Sequence, residues 1–410
     1  MTDVQQTLRS VVEDLATLRR GAGSEGEREA ARRLAGHLRA AGAEDVRVED
    51  VPYRPGYAKL LLPLNVVAGV AGVVAHRRGR APGAAVVAAL CGALVADDVA
   101  NGRRLWRAVA TRRKETTNVV AVAGDPQADR TLVVLAHHDA APTGVVFDQR
   151  PQKWLARRFP GLVARADTSA PLWWPIIGAP LIIAIGALTG RRRVTRAGLG
   201  ALATTTALGA DIARDRIVPG ANDNLSGCAA LVGLAQRRDL PVRVLLASCG
   251  AEEVLQGGIY AFADDHLKSL DPSRTWVLNL DTIGSPELIM IEGEGTLRVR
   301  DYPDPGFRDL IAAAAQRVSA GLQRGCRARS STDAVIASKA GFPTATLCSW
   351  DPVTKCLTDY HLPTDTPDRL HYATIERAVD VVAAVARDLA SGHHPSTNRS
   401  SASSPSGATR

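Results

Sequence analysis

TLVVLAHHDA, residues 131–140, decides how the rest of the chain is read. An apolar run rich in Val and Leu forms a strand, and His137, His138 and Asp139 follow it without a break. The pattern recurs twice. VRVLLAS (242–248) runs into Cys249-Gly250-Ala251-Glu252-Glu253, and TWVLNL (275–280) runs into Asp281. NVVAVA (118–123) is a fourth run of this kind, and helical patterns lie near 225–238, 305–320 and 372–390. Strands alternating with helices predict an α/β sheet covered by helices on both faces. In open sheets of this class, ligands bind beyond the carboxyl ends of the strands. Three strand ends therefore deliver His, Glu and Asp to one edge.

Working outward, Val4, Leu8, Val11, Leu15 and Leu18 recur at helical spacing and predict a helix over 3–20. Ser24 with Glu27 is a capping box that opens a helix over about 25–42. VRVEDV (46–51) alternates as a short strand. The Ser/Pro-rich end, 391–410, reads as a disordered tail. Hydrophobic residues at 46% and charged residues at 22% of 410 exclude a wholly disordered or fibrous chain. A net charge of +8 is weak evidence for nucleic acid without a basic face, so no nucleic-acid partner is expected. None of the six Cys forms a C-x-x-C pair, which fits a reduced compartment. The first twenty residues lack the apolar core of a secretory signal.

Two loops add candidates: Gly220-Ala221-Asn222-Asp223-Asn224 and Tyr360-His361-Leu362-Pro363-Thr364-Asp365. Each piece alone reads as ordinary structure: a strand-to-loop turn, an Asx turn, a solvated first turn of a helix, a cap, a satisfied histidine. Jointly, His and carboxylates suit zinc or a similar divalent ion. Two His and three carboxylates exceed the three ligands of one catalytic zinc. They match two ions about 3.5–4 Å apart sharing a carboxylate. Residues i and i+2 of an extended segment point the same way, so Asp139 can approach His137 and fix its tautomer. The adjacent Glu252 and Glu253 diverge, so one can bind metal while the other faces the attacking water as general base.

On VVLAHHDA (133–140), GANDNLSG (220–227), SCGAEEVLQGG (248–258), VLNLDTIG (277–284) and YHLPTDTPDRL (360–370), the chain resembles the co-catalytic di-zinc aminopeptidases. That family includes secreted bacterial leucyl aminopeptidases, aminopeptidase Y and glutamate carboxypeptidase. The resemblance implies an α/β/α sandwich with a mixed, mostly parallel sheet and two Zn2+ per chain. By it, His137 and Asp281 would hold one ion, Glu253 and His361 the other, and Asp223 would bridge them. Glu252 would be the general base and Asp139 the partner of His137. The substrate would be a peptide with a free N-terminus. A single-zinc glutaminyl cyclase-like transferase and a degenerate binding module are the rival readings. The chain departs from the pattern at Thr332-Asp333-Ala334, where relatives often carry Ser-Asp-His, and at Gly257-Gly258, where they carry Gly-Ser.

The further departure is two apolar helical hairpins. One runs through LLLPLNVVAGVAGVVA (60–75), the basic link HRRGR (76–80) and APGAAVVAALCGALVA (81–96). The other runs through APLWWPIIGAPLIIAIGALTG (170–190), the link RRRVTR (191–196) and AGLGALATTTALGA (197–210). They divide the chain into peptidase segments 1–56, 101–168 and 213–390, with hairpins over 57–100 and 169–212. A soluble cap of Ala-rich helices is one reading of the hairpins. Four uncharged apolar arms are hard to bury in one cap, and Trp173 and Trp174 stand where interfacial residues would, so a membrane partner is expected. Pro175 and Pro180 are expected to kink the third arm. More Lys and Arg flank the arms on the domain side than at the tips, which places the catalytic domain in the cytoplasm at the cell membrane.

Overall fold

Thr2 Oγ1 accepts from the Gln5 N–H at 3.1 Å and starts α1 (Asp3–Ala16). Ser24 Oγ accepts from the Glu27 N–H at 3.2 Å and starts α2 (Glu25–Ala41), which stops at Gly42 in the left-handed region. These belong to a computed structural model that describes residues 2–392. The first helix ends four residues before the expected 20. Arg20 turns inward there, and its buried guanidinium donates to the carbonyls of Leu15, His138, Pro219 and Gly220.

The chain continues through β1 (Glu44–Tyr53), α3 (Ala58–Arg78), α4 (Pro82–Val99), α5 (Leu105–Ala110), β2 (Lys114–Gly124) and β3 (Thr131–His137). Next come α6 (Arg150–Arg158), α7 (Pro160–Ala164), α8 (Trp174–Thr189), α9 (Arg192–Ile212), α10 (Ser226–Ala235), β4 (Arg243–Cys249) and α11 (Gly258–Asp265). The last part comprises β5 (Thr275–Leu280), β6 (Glu287–Glu294), β7 (Arg300–Asp301), α12 (Pro305–Arg317), β8 (Gln323–Ala328), α13 (Ala334–Lys339), β9 (Thr344–Trp350) and α14 (Tyr372–Ser391). Ser391, expected in the tail, closes α14 instead. Residues 393–410 of that tail lie outside the described residues.

One nine-stranded sheet has the order β1-β2-β4-β3-β5-β9-β6-β7, with β8 paired to β6. The centre, β4-β3-β5-β9, is parallel. β2 and β6 run against it. The sheet is mixed and its strands mostly parallel. Period-two alternation splits each central strand between two cores. Leu132 and Val134 face a core built with α1, α2, α10, α12 and α14. Val133 and Leu135 face a second core with Ile259, Phe262 and Ile336 of α11 and α13. The layers are therefore helix, sheet, helix. All six Cys are buried and free.

Helices α3, α4, α8 and α9 pack together into one apolar bundle whose seam includes Leu64, Ala68, Cys91, Val95, Ile183 and Leu202. Small residues set the close approach of α8 and α9. A Cβ on Gly186 would lie 2.4 Å from Thr195 Oγ1, and one on Gly198 would lie 2.8 Å from the Ile183 backbone nitrogen. Asn65 Nδ2 donates to Thr206 Oγ1 at 3.2 Å across α3 and α9. α8 runs through Pro180 as one helix. The link RRRVTR is not a loop: it forms the first turn and more of α9, and the chain reverses at Gly190. α3 and α4 are each long and apolar enough to cross a membrane, and α8 is shorter. The bundle's outward residues are also apolar: Val66, Val70, Val86, Leu90 and Ile185 are each more than half exposed. A helix packed on a soluble protein carries polar residues on that face.

Candidate metal centre

The strand register brings the first candidates together. His137 ends β3 beside Cys249 at the end of β4, and Asp281 follows β5, the other neighbour of β3. Asp223 precedes α10, and His361 lies in the loop before α14. Two donor groups result. His137, Asp223 and Asp281 form one, and Asp223, Glu253 and His361 the other. Within each group the donor atoms lie within 4.8 Å of one another. Asp223 Oδ1 is 3.3 Å from His137 Nε2, and its Oδ2 is 3.1 Å from His361 Nε2. Glu253 Oε2 is 3.2 Å from His361 Nε2.

These atoms suit a cation better than one another. His361 Nε2, His361 Nδ1 and Glu253 Oε1 are buried without a hydrogen-bond partner. A buried polar atom left so costs stability unless a ligand serves it. Burial pushes the carboxyls of Glu252 and Asp281 above their ordinary values and Glu253 up to about 7. Burial also raises Asp223, but the adjoining His137 and His361 imidazoles outweigh it and hold that carboxyl well below the usual range. Imidazole nitrogens and carboxylate oxygens are zinc donors, so the residues present fit that ion.

The surrounding residues fix the donors. Asp139 stands 3.4 Å from His137 Nδ1, longer than an ordinary N–H···O bond. Its shorter contacts are to backbone: the N–H groups of Glu252 and Glu253 each donate to it at 3.0 Å. Asp365 does the same for the other loop, accepting from Asn222 N at 2.7 Å and Asp223 N at 3.1 Å. Asn224 Nδ2 donates to the Leu280 carbonyl at 2.8 Å, tying the Asp223 loop to the end of β5. His361 stacks on Tyr360 with ring centroids 3.8 Å apart. Glu252 belongs to neither donor group. Its Oε1 accepts from Gln256 Nε2 at 2.8 Å. His138 is fully buried, its Nδ1 paired with Ser248 Oγ at 2.9 Å and its Nε2 without a partner.

Residues 205–386 match the family model described as peptidase family M28. Over these residues the chain is similar to peptidase family M28. The donor residues Asp223, Glu253, Asp281 and His361 fall inside the M28 match, and His137 precedes it. Solved structures align over nearly the whole chain. The aminopeptidase from Aneurinibacillus sp. strain AM-1 is 16% identical with a TM-score of 0.51, covering 94% of this chain and 93% of that one. A zinc aminopeptidase from Bacillus subtilis is 16% identical at 0.52, covering 94% of each. Glutaminyl cyclase from Fimbriiglobus ruber is 15% identical at 0.52, covering 93% and 94%. At such identities the likeness is one of fold. No curated protein matches the chain. The family match and the two donor groups together mark the chain as a zinc metallopeptidase.

Several residues around the candidate metal centre escaped the motif reading. Asp333 is buried with neither carboxylate oxygen hydrogen-bonded, and burial holds its carboxyl well above the ordinary value. The acid within the departing Thr332-Asp333-Ala334 was its sequence signal. Glu27, read only as half of a cap, also accepts from Ala251 N at 2.8 Å and Thr116 Oγ1 at 2.8 Å. Burial pushes it up to about 8. Nothing in the sequence near Arg20 or Glu27 points to this site. A cleft of about 650 Å3 is lined by Glu253, Tyr53, Ala140 and the hairpin-foot residues Tyr57, Leu60 and Trp106.

Proposed function

We propose that the chain is a membrane-anchored two-metal aminopeptidase that removes the first residue from peptides with a free N-terminus. The observation that carries the reading is the pair of donor groups sharing Asp223, with Glu252 beside them and in neither. Zinc at these groups would supply a Lewis acid for the scissile carbonyl and a water of lowered pKa. The chain's own residues do the rest. Asp223 spans both groups, and Asp365 holds its backbone. Asp139 sets the peptide that carries Glu252 and Glu253. Glu252, steadied by Gln256, takes the proton of the attacking water and returns it to the leaving amine. The peptide would lie in the cleft between Glu253 and the foot of the first hairpin. The apolar outer face of the bundle supports the membrane partner, and the flanking Lys and Arg support a cytoplasmic catalytic domain at the cell membrane.

Aminoacyl anilides with a free amine should be cleaved, and their N-acetylated forms should not. Equal cleavage of blocked substrates would assign a carboxypeptidase or endopeptidase role. A glutaminyl cyclase-like acyl transfer is the second reading, favoured by the equal likeness to the Fimbriiglobus ruber enzyme. Cyclisation of an N-terminal glutamine peptide in a sample with one zinc per chain would select it.

A further inference from the structure

The two hairpin tips are more than a hundred residues apart in sequence, yet they meet at one end of the bundle. The Ala81 N–H donates to the Ala187 carbonyl at 2.9 Å. Arg192 Nη2 donates to the Arg77 carbonyl at 3.1 Å. Gly190 packs against the Arg80 backbone. The contact gathers Arg77, Arg78 and Arg80 from one tip with Arg191, Arg192, Arg193 and Arg196 from the other, and all seven are exposed. None of them forms an ion pair with a carboxylate among the described residues, and residues 58–96 and 170–210 contain no Asp or Glu. The nearest acids in sequence, Asp97, Asp98 and Asp211, stand at the other end of the helices. Along the same end of the bundle run exposed apolar side chains: Val73 on α3, Val86 on α4, Ile185 and Leu188 on α8.

Seven guanidinium groups gathered without a counter-charge repel one another, and an anion relieves that repulsion. Guanidinium matches phosphate through paired N–H···O bonds. The apolar wall alongside requires that the anion also carry hydrocarbon. We propose that the distal end of the bundle is a binding site for anionic glycerophospholipid, with headgroup phosphates on the arginine crown and acyl chains along the Val and Leu face. The inference rests on the membrane placement proposed above and names the lipid class that the placement selects.

The test uses the full-length protein in vesicles of phosphatidylcholine alone or mixed with phosphatidylglycerol. After detergent extraction and gel filtration, the retained lipid is identified by mass spectrometry. Phosphatidylglycerol should be retained in preference to phosphatidylcholine. Replacing Arg77, Arg78, Arg191, Arg192 and Arg193 by Gln should cut that retention by about tenfold or more, since each basic residue at an anionic surface adds severalfold. Peptidase activity should be unchanged. The matching Lys variant, which keeps the charge and loses the paired geometry, should fall between. The Gln variant should still float with phosphatidylcholine vesicles, which shows that it folds and inserts. Equal phosphatidylglycerol retention by wild type and Gln variant overturns the proposal. So does release of the lipid by glycerol 3-phosphate, because a headgroup alone would then suffice. A wild-type protein that floats with no vesicle of either composition overturns the membrane placement itself, a result separable from loss of lipid selectivity.

Discussion

Arg107 and Asp98 form a buried two-point ion pair, Nε to Oδ1 at 2.9 Å and Nη2 to Oδ2 at 2.8 Å. The third guanidinium nitrogen donates to the carbonyls of Arg54 at 3.0 Å and Val254 at 2.9 Å. The end of α4 is thereby joined to the residue that follows Glu253. The foot of the bundle and the metal centre share one hydrogen-bonded unit.

Asp98→Ala leaves Arg107 charged, buried and unpaired. Breaking one partner of such a pair costs about 3–5 kcal/mol. Denaturant unfolding of the variant should show a loss of that order, with lower kcat because the Val254 anchor loosens. Unchanged stability would mean that water reaches the pair.

The metal centre should bind two divalent ions per chain by elemental analysis. Chelation should lower Tm, because ions that bind only the folded state stabilise it by mass action. Asp223→Ala should lose both ions, since one carboxylate serves both donor groups. Loss of one ion with the other retained at full occupancy would remove Asp223 from the bridging role.

Glu252→Gln preserves shape and removes the base. The rate should fall about 10²–10⁴-fold with metal content kept. Glu253→Gln should instead lose metal. The reverse pattern would exchange the two roles. Gln256→Ala, which frees the Glu252 carboxylate, should lower kcat more than it raises KM.

Glu27→Ala strips the acceptor from Ala251 N, Gly23 N and Thr116 Oγ1. A buried donor left unsatisfied costs about 1–3 kcal/mol. Stability and activity should fall together, because Ala251 leads directly into the Glu252–Glu253 turn. Loss of stability with activity per folded molecule intact would separate Glu27 from the site.

Much of the centre was legible because strands end where their apolar run ends. His137, Glu253 and Asp281 each follow such a run, and the parallel register of β3 with β4 and β5 brings the three runs to one edge. The capped starts of α1 and α2 were readable for a similar reason: a cap is made within four residues. The antiparallel edge was not. ELIMIEGE of β6 and TATLCSW of β9 carry the right residues, but each paired residue finds its partner 55 or more positions away.

Local sequence thus determined the alternation of elements, the apolar arms and the chemistry placed at the strand ends, since backbone period and turn chemistry act over a few residues. Tertiary structure alone decided the rest. It buried Arg20 under the Asp223 loop, turned Glu27 from a helix cap into a support for Ala251, left Asp333 unpaired beside the centre and closed two distant arginine tips into one crown. Each of these is a contact between segments far apart in the chain. Whether a charge lies buried, paired or bare depends on what the folded chain packs against it, and no local pattern carries that information.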